Sequence, residues 1–481
     1  MTPTRKDIAA AIAANRFGLG ARPGELAAVA RDPQEWLGRQ IKSSPPALTG
    51  EGLQPSSETL AKALELRKEA AEARRDQKKD GAGDDEVRVA TALKLPGIYR
   101  PVYIDEAYAR FAHSISTDRP FLERLTQFWT NHFAVSIDKI AVLGLAGAME
   151  REAIRPRVTG HFTDLLLAVE KHPAMLLYLD NQASIGPNSK AARFVGRRGN
   201  GRKAGINENL AREILELHTL GVNGGYTQSD VSTFAKAISG WSIGGQERGR
   251  MLARAAADNG TPGAFHFREA FHEPGPKRLL GKSYADDGLR QGEEMLRDLA
   301  LSRATARHIS TKLARHFVAD DPPPALVDRL TNAWLDSRAH LPTVYRALMN
   351  SPEAWEQPFA KFKTPADYIY SSYRALGIPL LEKRRALRAF EALGQRNLMP
   401  GSPAGWPDTS ADWDGSSSLL KRVAWADVLG QRMGGARNAR DLAPQLLGAT
   451  LSEETATAIG RAESGSQALT LLLACPEFMR R

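Results

Sequence analysis

The chain has one cysteine, Cys475, in 481 residues. No disulfide can form within it, and a zinc site built from cysteines is excluded. No apolar run reaches the roughly 18 residues that a membrane-spanning helix needs. The short patterns of familiar chemistry are missing too. There is no GxxxxGK[ST] loop and no GxGxxG after a strand, which argues against nucleotide chemistry; there is no GxSxG elbow for a serine nucleophile and no HExxH for a zinc hydrolase. Cys475 lies in an apolar segment, LLLACPEFM, with no base beside it. The opening residues, MTPTRKDIAAAIAANRFGLG, place basic residues before a short alanine-rich run that follows Asp7. An amphipathic helix is expected there instead of a signal peptide, and by sequence alone that suggests cytoplasm.

What is present describes a soluble globular chain able to bury a sizeable core, with 42% hydrophobic and 25% charged residues. The net charge of +10 could mark a nucleic-acid partner, but most arginines alternate with acids along helices, as on a solvated surface. The exception is a basic loop at 189–203, which carries Lys190, Arg193, Arg197, Arg198, Arg202 and Lys203 and no acid. It has one aromatic, Phe194, so base readout is not suggested; an anionic polymer is the better match.

Hydrophobic periodicity near 3.6 recurs along most of the chain. The fold class expected is mainly α, one large multi-helical unit over 1–481, with a small β-hairpin at 263–271 where AFHFREAFHEPG alternates. The charged stretch 72–86, helical and then broken by GAGDDE, is expected to be a mobile surface excursion.

The densest stretch is 204–243, AGINENLAREILELHTLGVNGGYTQSDVSTFAKAISGWSI. It reads as helix, glycine turn and helix, with Thr227 and Asp230 spaced as a capping box. At ~100° per residue, Asn209, Arg212, Glu213 and Glu216 share one face, and His218 points away from both glutamates on a straight helix. A second helix, 120–134, repeats the stripe with Glu123, Gln127 and Thr130; Asn131 lies between its faces, and His132 falls on the apolar one. Further along, GSPAGWPDTSADWDG offers Trp406, Asp408, Asp412 and Trp413, which suit either stacking on a sugar ring or plugging a core.

Paired carboxylates can divide acid and base work. Glu213 and Glu216, assisted by Glu123, are therefore the candidate catalytic residues. Asn209, Arg212, Asn131, His132, Gln127, Arg197, Arg198 and Trp406 are the candidate substrate contacts, for a hydrolase acting on a polymeric glycan, including an anionic one. The competing reading is a buried polar network that fixes helix packing without chemistry. A divalent metal on Glu213, Glu216 and His132 is a weak third option, and no metal or cofactor is assigned.

The stretch NENLAREILELHTLGVNGGYTQSDVSTFAKAISGW, with RFGLGARPGEL, LTQFWTNHFAVS, LLLAVEKHPAMLLYLDN, FHEPGPKRLLGKSY and GWPDTSADW, closely resembles the bacterial family called domain of unknown function 1800, over nearly the whole chain. The resemblance implies a largely helical protein. It also implies an encoded neighbour similar to exported phosphatases and sulfatases. From this come an alternative function, non-catalytic partner of that neighbour, and an expectation of export. As such a partner the chain should carry a large apolar surface patch.

Overall fold

The computed structural model describes residues 5–79, 84–196, 205–246, 259–380 and 382–481. Residues 80–83 of the charged stretch expected to be mobile lie outside these, as do 197–204, which hold Arg197 and Arg198.

The described residues are mainly helical, with two small antiparallel sheets among them. Helix α1 (Ser56–Lys79) is followed by α2 (Asp84–Ser116), which continues through Pro96 and Pro101. The sequence suggested a start only after Pro101, because proline forfeits a helical N–H. Packing overrides that cost: Leu95 and Tyr99 are buried against Ala63 of α1, and Val102 is buried one turn on.

Helix α3 (Pro120–His132) starts on a proline at its first position and is buried on almost every side. After α4 (Phe162–Glu170) comes the expected helical hairpin, α5 (Asn209–Glu213) and α6 (Gln228–Ala237). The capping box at Thr227 and Asp230 is formed in both directions. Helix α5 does not end as a straight α-helix, since Ile214–His218 form a π turn. Among the described residues, two more π turns occur, at Ala13–Phe17 and Glu150–Ile154.

Strand β1 (Trp241–Ile243) pairs with β2 (Phe265–Phe267), and β3 (Lys277–Leu279) with β4 (Lys282–Tyr284). The alternation at 263–271 therefore marks a strand, but its partner is 241–243, and Glu269–Phe271 coil into a 3-10 turn. The tight hairpin is the next one along. Leu280 and Gly281 supply consecutive positive φ values of 49° and 83°, as a two-residue turn of this twist requires.

The later helices used below are α7 (Arg303–Phe317), α8 (Pro324–Asp336), α9 (Pro365–Leu376), α10 (Ser416–Met433) and α11 (Gly465–Ala474). Helices α10 and α11 cross closely at Gly430, where a Cβ would stand 2.3 Å from Thr470 Oγ1.

Buried apolar side chains form two large clusters. One gathers Phe17, Phe121, Trp129, Phe162, Phe317 and Trp334. The other gathers Phe111, Tyr368, Tyr370, Phe390, Leu429 and Leu472. A buried ion pair crosses between them: Arg124 Nη1 of α3 lies 2.9 Å from Asp367 of α9.

Lys363, beside this seam, is 1% exposed, donates to Ser371 Oγ at 3.1 Å and sits over the Phe478 ring. Burial, opposed by Asp367, lowers its pKa to about 7 from 10.5. Between those values the folded state binds fewer protons here than the unfolded chain, so this group makes stability rise with pH. Lys363→Met is expected to raise the melting temperature at pH 7 and to flatten the rise towards pH 9. Melting curves of both proteins across that range check this, and a variant that melts lower throughout would refute it.

Candidate functional site

Three titratable residues, His308, Lys312 and His316, recur every four residues along α7 and so lie on one face. Lys312 and His316 line a cavity of about 350 Å³ where the two apolar clusters meet, with Phe128 of one and Tyr370 of the other in its wall. That volume falls in the range of small-molecule sites, about 300–1,000 Å³.

The hydrogen bonds fix the protonation of these side chains. His132 Nε2 lies 3.2 Å from the His218 carbonyl oxygen, so it carries the proton and donates. His132 Nδ1 is then a lone pair, and it accepts from Lys312 Nζ at 3.0 Å. Burial, reinforced by the Lys312 charge, keeps His132 well below the usual histidine range. The same two causes lower His308 to about 4. Lys312 itself is lowered to about 8, by burial against the pull of Asp408. Among the described residues, His132 Nδ1 is the acceptor Nζ reaches, and no carboxylate comes within salt-bridge distance of it.

One turn further, His316 Nδ1 lies 2.8 Å from Asp408 Oδ2. Burial alone would push the Asp408 carboxyl up; His316, Lys361 and Arg481 outweigh it and hold the group well below the carboxylate range. Burial lowers His316 in turn, against Asp408. The neutral ring therefore gives its Nδ1 proton to Asp408, and Nε2 is a buried lone pair with no hydrogen-bond partner among the described residues.

Residues 400–413 cover this site and are clamped by Asn131. Its Nδ2 donates to the Trp406 carbonyl at 2.8 Å, and its Oδ1 accepts from the Trp406 N–H at 2.7 Å. Gly405 is required at the clamp, with a φ of 86° and only 2.3 Å from the position of a Cβ to the Asn131 carbonyl oxygen. Trp413 is buried and donates to Pro407, plugging the core, whereas Trp406 lines the cavity.

Of the candidates read from the sequence, the cavity brings together Gln127, Asn131, His132 and Trp406. Asn131 acts on the loop and His132 on Lys312, while Gln127 donates to Ser114 Oγ.

Glu123 is elsewhere, 2% exposed and held by both Nη atoms of Arg155 at 2.6 and 2.9 Å. Glu150 shares Arg155 at 2.9 Å, pairs with Arg110 at 2.8 Å and accepts from Thr130 Oγ1. Burial would raise the Glu123 carboxyl, but Arg155 lowers it below the usual range. So placed, Glu123 does not meet the glutamates of α5.

Glu213 and Glu216 remain a half-buried pair on α5 and its π turn. Tyr226 Oη donates to Glu216 at 3.3 Å. Burial raises the Glu213 pKa, with Glu216 adding to the effect against His218 and Arg212. Asn209 is exposed, and Arg212 pairs with Glu208 and Gln228, not with Glu216. His218 turns inward to Glu170, 2.8 Å away. No group of three His, Cys, Asp or Glu among the described residues is placed to hold a metal ion.

The α7 stripe was not singled out from the sequence, although RHISTKLARHF shows it at i, i+4 and i+8. Lys and His at helical spacing ordinarily mark a solvated face, and nothing local reveals that Asp408, ninety-two residues away, completes it.

Together the fold and the cavity define a mainly α-helical protein with a polar, cation-bearing internal pocket. A family model described as a protein of unknown function, DUF1800, matches residues 12–480, and the chain belongs to that family. No curated protein and no solved structure matches it.

Removing one partner of a buried ion pair costs about 3–5 kcal/mol, since the other charge is left unpaired. Glu123→Gln and Arg155→Met are each expected to lower stability on that scale. The double variant is expected to lose less than the sum. Denaturant titrations of the three proteins measure it, and a Glu123→Gln variant of unchanged stability would remove Glu123 from the structural network.

Proposed function

We propose that this protein binds one unit of an acidic glycan in the cavity beneath Trp406. The observation that carries this is Lys312, a cation at the cavity wall with a neutral histidine as its hydrogen-bond partner and, among the described residues, no carboxylate within salt-bridge distance. Such an ammonium favours a ligand carboxylate or sulfate. Arg315 adds positive charge to the same lining, and Trp406 offers an aromatic side chain. A cavity of about 350 Å³ suits a terminal unit better than a stretch of polymer.

If the protein also hydrolyses a glycan, the pair suited to it is Glu213 and Glu216, which do not line this cavity and form a separate site. Glu213 has the raised pKa that a general acid needs, and Glu216 is one turn away. Glu123, with both oxygens taken by Arg155, does not flank a bond in this scheme.

A second reading has its own support in α10. Leu419, Leu420, Val423 and Val428 are exposed on this helix, Leu420 at 71% and Val428 at 62%. Exposed apolar side chains grouped at Leu419, Leu420 and Val423 suit a protein partner, and the phosphatase-like neighbour implied by family association is the candidate.

Calorimetric titration with uronate-terminated and neutral oligosaccharides tests the first reading. The acidic ligands are expected to bind, and Lys312→Met to weaken them at least tenfold. Glu213→Gln is expected to keep binding and melting temperature while losing any hydrolysis. Equal binding of neutral and acidic sugars would reject the proposal.

A further inference from the structure

Resting on the acidic-glycan reading, we infer that an arginine face on the helix Lys383–Ala392 and the end of α10 binds the body of an anionic polysaccharide whose terminal unit enters the cavity.

Two helices build the face. Arg384, Arg385 and Arg388 are exposed on the helix Lys383–Ala392, and Arg432 and Arg437 are exposed at the end of α10 and just beyond it. The two groups meet over the last turn of α9. Burial raises the pKa of Tyr373 there, while Arg432 and Arg385 both pull it the other way, so both guanidinium groups act on one phenol. Arg437 reaches the next turn, its Nη2 lying 3.0 Å from the position of a Cβ on Gly377.

The charge of this face is unanswered within the chain. No acid occurs in 383–390 or in 428–440. The flanking cations are taken, Lys383 by Asp105 and Arg396 by Glu391; among the described residues none of the five arginines has a carboxylate within salt-bridge distance. Exposed cations elsewhere do find one, as Arg307 finds Asp328 and Lys62 finds Glu58. Helix dipoles account for two of the five, since Arg432 lies in the last turn of α10 and Arg437 at the end of α9. They oppose Arg384 and Arg385, which lie in the first turn of their helix, where the backbone is already positive. Glu382 before them makes no side-chain cap.

Guanidinium groups hold carboxylate and sulfate through paired hydrogen bonds. Several on one open surface suit a chain that repeats an anion in every unit, and their summed field draws it in. Among the described residues the face has no exposed aromatic side chain on which a base could stack, which favours a glycan over single-stranded nucleic acid. The same helix joins the face to the cavity: Phe390 lines the cavity wall, about 9 Å along the axis from Arg384.

The test measures binding of the full chain to a galacturonate disaccharide, a long oligogalacturonate and single-stranded DNA of matched charge, at low and high salt. The parent is expected to prefer the long chain to the disaccharide, and salt to remove much of that preference. Arg384→Gln, Arg385→Gln and Arg388→Gln combined are expected to weaken the long chain roughly tenfold, leaving disaccharide binding and melting temperature unchanged. Unchanged long-chain affinity in the folded triple variant overturns the inference and leaves the cavity reading standing. DNA bound as tightly as the long glycan also overturns it, because the face then answers to charge alone. If the triple variant loses the long chain while Lys312→Met changes neither acidic ligand, the face stands and the cavity reading falls. A parent that binds neither acidic sugar removes both.

Discussion

Asp367 lies where α3, α9 and the Arg481 backbone pairing with Lys361 meet, almost without solvent. Burial by itself would neutralise this carboxyl, but Arg124 and Arg481 hold it ionised, with a pKa of about 2. Together with the Asn131–Trp406 and His316–Asp408 contacts, this triad ties the two apolar clusters to each other. The cavity is the gap their seam leaves. The constraint continues outward: Arg481 also faces Asp408, and Asp408 orients His316. Disturbing Asp367 therefore reaches the histidine through two further charges.

Two buried charge systems in the same molecule make an instructive contrast. Around Arg155, both oxygens of Glu123 and both of Glu150 have cationic or hydroxyl partners. Such a network rigidifies the helices that contribute to it, and its carboxylate oxygens are all engaged. Around α7 the balance is incomplete. Lys312 leans on a neutral ring, and His316 keeps an unshared lone pair. Desolvation without full pairing is the usual physical mark of a working site, because it shifts proton affinities towards neutrality.

Much of the scaffold was legible from the residues. The capping box at Thr227 and Asp230 and the glycine turn after α5 both follow from local chemistry, and both are formed. Pro101 misled because long-range burial of Tyr99 and Val102 outweighs a missing hydrogen bond. The strand at 265–267 was visible in its alternation, but its partner was not, since register across a long connection is set by tertiary packing. For the site, spacing could group Glu213 with Glu216, and Gln127 with Glu123, on their own helices. It could not tell that Glu123 faces Arg155, thirty-two residues on, or that α7 lies against His132. Which polar stripe meets water and which meets an arginine is decided between helices, and helical periodicity carries no information on that.

The three π turns among the described residues have a common property. Each contains a buried ionisable side chain: Arg16 in Ala13–Phe17, Glu150 in Glu150–Ile154, and His218 in Ile214–His218. A π turn is an α-helix with one residue too many, and the surplus rotates whatever follows it by about a quarter turn or more. Shortening the chain by one residue at Ile214 would restore regular winding and still swing the imidazole off Glu170, so this helix tolerates replacement of its side chains far better than a change in its length.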